Sequence, residues 1–314
     1  MSASRLLLRC AGSAWLLLCL VLPAAAGIED QLSAYTGDNA TGYLQPIANA
    51  LGASLNDGFF RSAYIPPSGL HVSLEVRAMG VMFSEDDETF AAVPEGGFLP
   101  DDAVDAPTIV GDGDAIIVEG DGGAQFAFPG GMEQHSFALA VPQLRISSVK
   151  GSELVIRYAA AEVGDGEEIG DISFWGFGLR HSISQYLRED FPADLALGFL
   201  YQSLSVGKSE GSGDLISSTA LTLGAQASKR YTKGFATFEP YAGIGIDSFK
   251  MDVTYDSDSG EDTTENELDF ERDTNFHLTL GVAFNLSIIN LHADYSIAGQ
   301  NSFSFGLALG NLMY

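Results

Sequence analysis

The chain has 314 residues, enough for one large domain or two ordinary ones, and it carries 42 acidic against 15 basic side chains, a net charge of −27. That balance excludes nucleic-acid binding, which depends on Lys and Arg neutralising phosphates. Both cysteines, Cys10 and Cys19, fall within the first 26 residues, so the rest of the chain has no disulfide, thiol nucleophile or thiolate metal site.

The first segment reads as an export signal. Arg5 and Arg9 supply positive charge, residues 14–22 are almost unbroken apolar sequence, and Pro23-Ala24-Ala25-Ala26 offers the small residues that a signal peptidase needs. The apolar run falls short of the roughly 20 residues that cross a bilayer as a helix. Leu18 before Cys19 argues against lipoprotein processing. Residues 1–26 are therefore expected to be removed, which makes the remainder more acidic still.

Residues 27–69 come next. Leu44, Ile47, Ala48, Leu51 and Leu55 follow helical spacing, which predicts a short amphipathic helix over 41–57, capped by Thr41 and ended by Gly58. Pro66 and Pro67 then force an extended connector. From Leu70 the period changes to two. His71, Ser73, Glu75 and Arg77 alternate with Val72, Leu74, Val76 and Ala78. Further strands are predicted at 137–147, 152–161, 171–183, 192–206, 214–228, 235–253, 274–286, 288–298 and 301–313, ten in all. In one of them Phe276, Leu278, Leu280, Val282 and Phe284 form a greasy row opposite Asn275, His277, Thr279, Gly281 and Ala283. Leu195, Leu197, Phe199 and Tyr201 make another such row.

One greasy and one polar face per strand fits a membrane barrel or a soluble sandwich. Two features favour the barrel. Several strands exceed the 3–10 residues common in soluble sheets and match tilted membrane strands. The links also alternate: 85–136 and 254–273 are long and acidic, whereas 149–152 and 285–287 are tight. Bacterial barrels place long loops outside the cell and short turns in the periplasm. The expected fold is thus all-β, an antiparallel transmembrane β-barrel over 70–314 with an acidic extracellular insert at 85–135. Thr108, Ala115 and Gln125 each open a short apolar run that could add a hairpin, giving about 10–12 strands. Tyr158, Trp175, Tyr201, Tyr241, Tyr255 and Tyr295 are expected in interface girdles.

Three stretches carry a resemblance: Val141-Pro142-Gln143-Leu144-Arg145, then Lys150-Gly151-Ser152-Glu153-Leu154-Val155-Ile156-Arg157-Tyr158, then Phe174-Trp175-Gly176-Phe177-Gly178-Leu179-Arg180-His181. They resemble an uncharacterised family of bacterial outer-membrane barrels, itself distantly similar to the outer-membrane long-chain fatty-acid transporters. The resemblance covers most of the chain after the signal, including Asn49-Ala50-Leu51-Gly52. It implies a scaffold and no functional residues. Those transporters have 14 strands and an N-terminal hatch, so the likeness allows up to 14 strands and a hatch-like role for 27–69.

Glu75, Arg77, Arg157, Arg180, Glu239, Asp247 and Asp294 sit within strands, and several have apolar neighbours. With the greasy face in lipid, these seven are candidates to line the lumen, as a solute path or as a salt-bridge network that fills it. Asp256, Asp258, Glu261 and Asp262, like 85–88 and 112–114, lack the twelve-residue spacing of a calcium loop and read as solvated loop acids. His71, His181, His277 and His292 are dispersed, and no GxSxG context occurs, so neither a metal centre, a cofactor nor an enzyme is expected.

Two functions fit: a passive channel or transporter for a small or hydrophobic solute, or a non-conducting structural or surface-interaction barrel with a salt-bridged lumen. Either places the chain in the cell outer membrane. Its expected partners are lipid, lipopolysaccharide and the barrel assembly machinery.

Overall fold

The alternation that begins at His71 becomes a closed wall. In a computed structural model the described residues are 32, 35, 37–161, 171–187, 191–208, 213–258 and 263–310; the expected export signal lies outside them. The wall strands are β1 (His71–Met82), β6 (Ser136–Val149), β7 (Ser152–Ala161), β8 (Ile172–Ser182), β9 (Asp194–Gly207) and β10 (Asp214–Ser228). They continue with β12 (Ala236–Asp258), β13 (Thr263–Leu286), β14 (Ile289–Ile297) and β15 (Ser302–Gly310). Each pairs antiparallel with its sequence neighbour in that series, and β1 pairs with both β6 and β15. The series is a ring of ten.

The additional runs in the insert do form strands, but they stay out of the wall. There β2 (Thr89–Ala92) pairs with β3 (Val104–Pro107), and β4 (Ile116–Glu119) with β5 (Gln125–Phe128). The stretch 108–110 is not a strand at all. A short β11 (Tyr231–Lys233) folds back on the start of β12. The wall thus has the ten strands that the alternation predicts, and the further strands the insert offered lie outside it.

The expected long link at 254–273 is also corrected. β12 and β13 stay paired from Phe249↔Arg272 to Asp258↔Thr263, so most of that link is a two-stranded ribbon. Period two persists there, with Met251, Val253, Tyr255, Leu268 and Phe270 buried inside. Only the outer face changes, from Ile244 and Ile246 to Lys250 and Asp252. That switch marks where hydrocarbon gives way to water on one continuous strand.

Below the switch the outer face is greasy. Leu74, Trp175, Leu197, Leu223, Ile246, Phe276, Leu280, Tyr295 and Phe305 all point outward with roughly half their surface open. A belt this broad far exceeds the apolar patch of an ordinary soluble monomer. It is the outer surface of a membrane-spanning barrel. Tyr158, Trp175 and Tyr295 lie on it as expected, but Tyr241 and Tyr255 turn inward and are buried. The tight link of Lys150 and Gly151 between β6 and β7 has φ of 53° and 72°, the backbone of a two-residue hairpin turn.

The N-terminal helix α1 (Gly37–Asn56) starts a turn earlier than expected. Thr41 is not its cap; it lies one turn in and donates its hydroxyl to the Gly37 carbonyl at 3.1 Å. The helix ends where expected, just before Gly58, whose φ is +70°.

The belt generates a position-dependent outcome. Leu280→Arg, outward on β13 opposite Ala242, should lower stability in lipid vesicles by about 2–4 kcal/mol. Asp252→Arg, on the same outer face above the switch, should change it little. Urea titration read by the migration of unboiled protein on gels measures both, and equal tolerance at the two positions would contradict a hydrocarbon-facing belt.

Candidate functional site: the filled lumen

The inner wall has two levels. Near the insert it is apolar, with Met79, Val81, Phe174, Leu204, Phe249, Met251 and Phe270 buried in one cluster. Toward the opposite rim it is polar, and all seven sequence candidates lie there, buried. The interior is thus half apolar, a departure from the uniform polar face expected. It is apolar where α1 and the insert pack against it and polar where a non-helical stretch of chain runs through it.

Four of the seven candidates join through two residues that sequence reasoning missed. Arg77 bonds Asp294 at 2.7 Å and lies 3.6 Å from Glu75. Glu75 pairs with Arg145 at 3.0 Å, and Arg145 pairs with Glu153 at 2.7 Å. Glu153 also takes Arg180 at 2.6 Å and Arg61 at 3.6 Å. One carboxylate therefore serves three guanidinium groups. The other three candidates stand apart. Glu239 accepts from the Ser62 and Ser228 hydroxyls, Asp247 from His277, and Arg157 is bonded to the Gln143 and Gln202 side chains.

Residues 57–63, directly after α1, run through this network as a strap outside helix and sheet. Its carbonyls would be orphaned inside the barrel, because they belong to neither helix nor sheet. Wall side chains take them up. Arg157 donates to the carbonyls of Asp57 at 3.4 Å and Gly58 at 2.6 Å, and Arg77 to that of Phe60 at 3.3 Å. Gln202 holds the Leu55 carbonyl, and Arg180 together with Gln226 holds that of Ser62. In return the strap gives Asp57, which accepts from Ser296, and Arg61.

Glycines make the fit possible. A Cβ on Gly58 would lie 2.8 Å from Arg77 Nε and 2.9 Å from Met79 Sδ, besides straining its left-handed backbone. On the wall, a Cβ at Gly224 or Gly243 would strike the Phe60 ring at 2.6 or 2.7 Å.

Above the strap, α1 rises to the insert and shares its core. The Tyr43 carbonyl accepts from the Ile109 amide at 3.0 Å, and Asn39 donates to the Val93 carbonyl at 2.8 Å. Tyr35, ahead of the helix, packs on Phe128 and Phe90, and its carbonyl accepts from the Tyr255 hydroxyl at 3.0 Å. Residues 37–70 therefore pass through the ring from one rim to the other. Arg145 and Glu153 were legible, since each alternates with aliphatic neighbours. Asp57 and Arg61 were not, because no period places them.

The shared carboxylate yields a sharp contrast. Glu153→Gln leaves Arg61, Arg145 and Arg180 facing a neutral amide and should cost about 3–5 kcal/mol. Lys250→Ala, which removes an exposed pair with Glu271, should cost under about 1 kcal/mol. Urea midpoints in vesicles compare the two, and a silent Glu153→Gln would refute the network as drawn.

Comparison with solved structures finds outer-membrane barrels at low similarity. The outer-membrane protease OmpT of Escherichia coli is 7% identical, with a TM-score of 0.32 over 79% of this chain and 97% of that one. The translocator domain of the autotransporter NalP from Neisseria meningitidis is 12% identical, with a TM-score of 0.28 over 87% and 100%. The outer-membrane channel DcaP of Acinetobacter baumannii is 9% identical, with a TM-score of 0.18 over 77% and 96%. A protease, a translocator domain and a channel do not single out the fatty-acid transporters, and at these scores the likeness bears on neither activity nor ligand. Comparison with curated protein sequences finds no match. Residues 6–311 match the profile of DUF6588, and the chain belongs to this family of unknown function.

Proposed function

We propose that the protein is an outer-membrane barrel that does not conduct in its resting form, and that it serves to hold a rigid acidic cap at the cell surface. One observation carries this reading: the lumen is occupied by the chain's own strap, whose carbonyls are bonded to buried wall arginines. Ring size supports it. Eight strands leave an interior just wide enough for side chains, whereas aqueous channels use 16–18. Ten strands admit side chains and one backbone, and both are present. The insert is fixed to α1 through a continuous apolar core, so the cap is a built surface.

The second reading is a channel that opens when residues 27–69 act as a withdrawable plug. Two polar hollows beside α1 that share Arg272 favour it, one past Asn49 and a much smaller one at Asp57 and His277. Planar-bilayer recording separates the two. The full barrel should show no steady conductance, and neither should a variant in which Gly58→Val loosens the strap. Stepwise conductance in that variant alone would favour the plug reading, and conductance in the full barrel would refute ours.

With the insert outside the cell, the strap sets a second outcome. No cysteine follows Cys19, so Asp38→Cys, exposed at the start of α1, gives a single reporter. A membrane-impermeant maleimide should label it on intact cells, whereas Lys233→Cys at the opposite rim should stay unlabelled. The reverse pattern would invert the orientation.

A further inference from the structure

The basic residues are as unevenly placed as the acidic ones. Five arginines, at 61, 77, 145, 157 and 180, are consumed in the lumen. The rim that carries the insert is crowded with acids. The opposite rim carries Lys150 in the β6–β7 turn and Lys229, Arg230 and Lys233 between β10 and β12. Arg230 is engaged, 3.4 Å from Asp194 and stacked over the Tyr64 ring. Lys229 and Lys233 are exposed and have no ion-pair partner among the described residues.

Directly above that turn the outer wall is hollow. Leu195, Ala227 and Ala242 share one row of the ladder, and Leu197, Ala225 and Ile244 the next. The alanines at 225, 227 and 242 leave a trough between the larger neighbours, an apolar groove of about 380 Å³ on the lipid-facing side. That volume lies in the range of ligand-binding clefts. Lys229 directly follows β10, and its amide still bonds the Pro240 carbonyl of β12 at 3.1 Å, so the ladder continues and puts a cation just past the foot of the groove, on the face of Ala225 and Ala227. Around it Tyr231, Phe235, Phe238 and Phe284 form an aromatic band, with Phe238 and Phe284 at 5.1 Å. Such bands mark the level of lipid headgroups.

We propose that this groove holds one acyl chain of an anionic glycerophospholipid, with its phosphate against Lys229 and Lys233. Charge complementarity selects the occupant. A hydrocarbon chain alone would fill the trough, but only an anionic headgroup meets Lys229 at its foot and Lys233 four residues further toward the rim. Lipopolysaccharide, although anionic, would have to lie at the insert rim if the insert faces outward, and that rim is acidic. The proposal rests on the outer-membrane reading, which places this rim in the inner, phospholipid leaflet.

The test uses the full barrel in vesicles mixing phosphatidylethanolamine with phosphatidylglycerol, with a spin label on each lipid in turn. Wild type should immobilise phosphatidylglycerol in preference. That preference should fall about fivefold for each of Lys229→Gln and Lys233→Gln, and be unchanged in Lys150→Gln. The double variant Ala225→Phe with Ala227→Phe, lysines intact, should abolish the immobilised fraction at this site. Equal immobilisation of both lipids, a preference untouched by the lysine variants, or stronger immobilisation of added lipopolysaccharide overturns the proposal. The gel shift of the same unboiled samples reports insertion independently. A chain that never inserts overturns the outer-membrane reading as well, whereas an inserted barrel without preference overturns the lipid site alone.

Discussion

Hydrocarbon offers no hydrogen-bond partner, and that single fact organises the molecule. Each N–H and C=O of a lipid-facing strand must be satisfied by a neighbouring strand, because an orphan costs several kcal/mol. β1 pairs on both sides, with β6 and with β15, and β10 likewise with β9 and β12, so no edge is left. Closure with ten strands then fixes the bore, and the bore fixes what can fill it. The same accounting governs the strap, whose carbonyls meet guanidinium and amide donors in place of water.

Charges inside the wall obey a stricter rule. Burying an ion costs several kcal/mol, which is recovered only through close opposite charge and further hydrogen bonds. Glu153 recovers it with three arginines and the Ser147 hydroxyl. Arg157 recovers it otherwise, with two glutamines and the backbone of the strap. Its solvation therefore depends on residues 57 and 58 staying in place. Wall and strap are one electrostatic object, and a change in either is felt by both.

Much of this was legible because a barrel wall has a strict period. Ten strands and the inward placement of Glu75, Arg77, Arg157 and Arg180 follow from alternation alone. Alternation also misled. The ribbon after Val253 reads as a loop in sequence because its outer face is acidic, although Tyr255, Leu268 and Phe270 keep the inner rhythm. Tyr241 and Tyr255 were assigned to the girdle by residue type, while their parity puts them inside. The strap was illegible for a physical reason. Extended chain surrounded on all sides has no exposed face, so Asp57, Phe60 and Arg61 leave no periodic trace. Likewise the groove at Ala225 and Ala227 arises from three adjacent strands, and no one of them shows it.

The passage of residues 37–70 through the ring bears on how the molecule is made. Tyr35 is enclosed at one mouth by Phe90, Phe128 and Tyr255, while Leu70 leaves at the other to begin β1. Folded proteins almost never push a chain end through a finished loop, and here the bore is already crowded. The hoop must therefore be cast around its axle: the first strand arrives tethered to the strap, the hairpins accumulate about it, and the seam between β1 and β15, the two ends of the wall in sequence, is welded last.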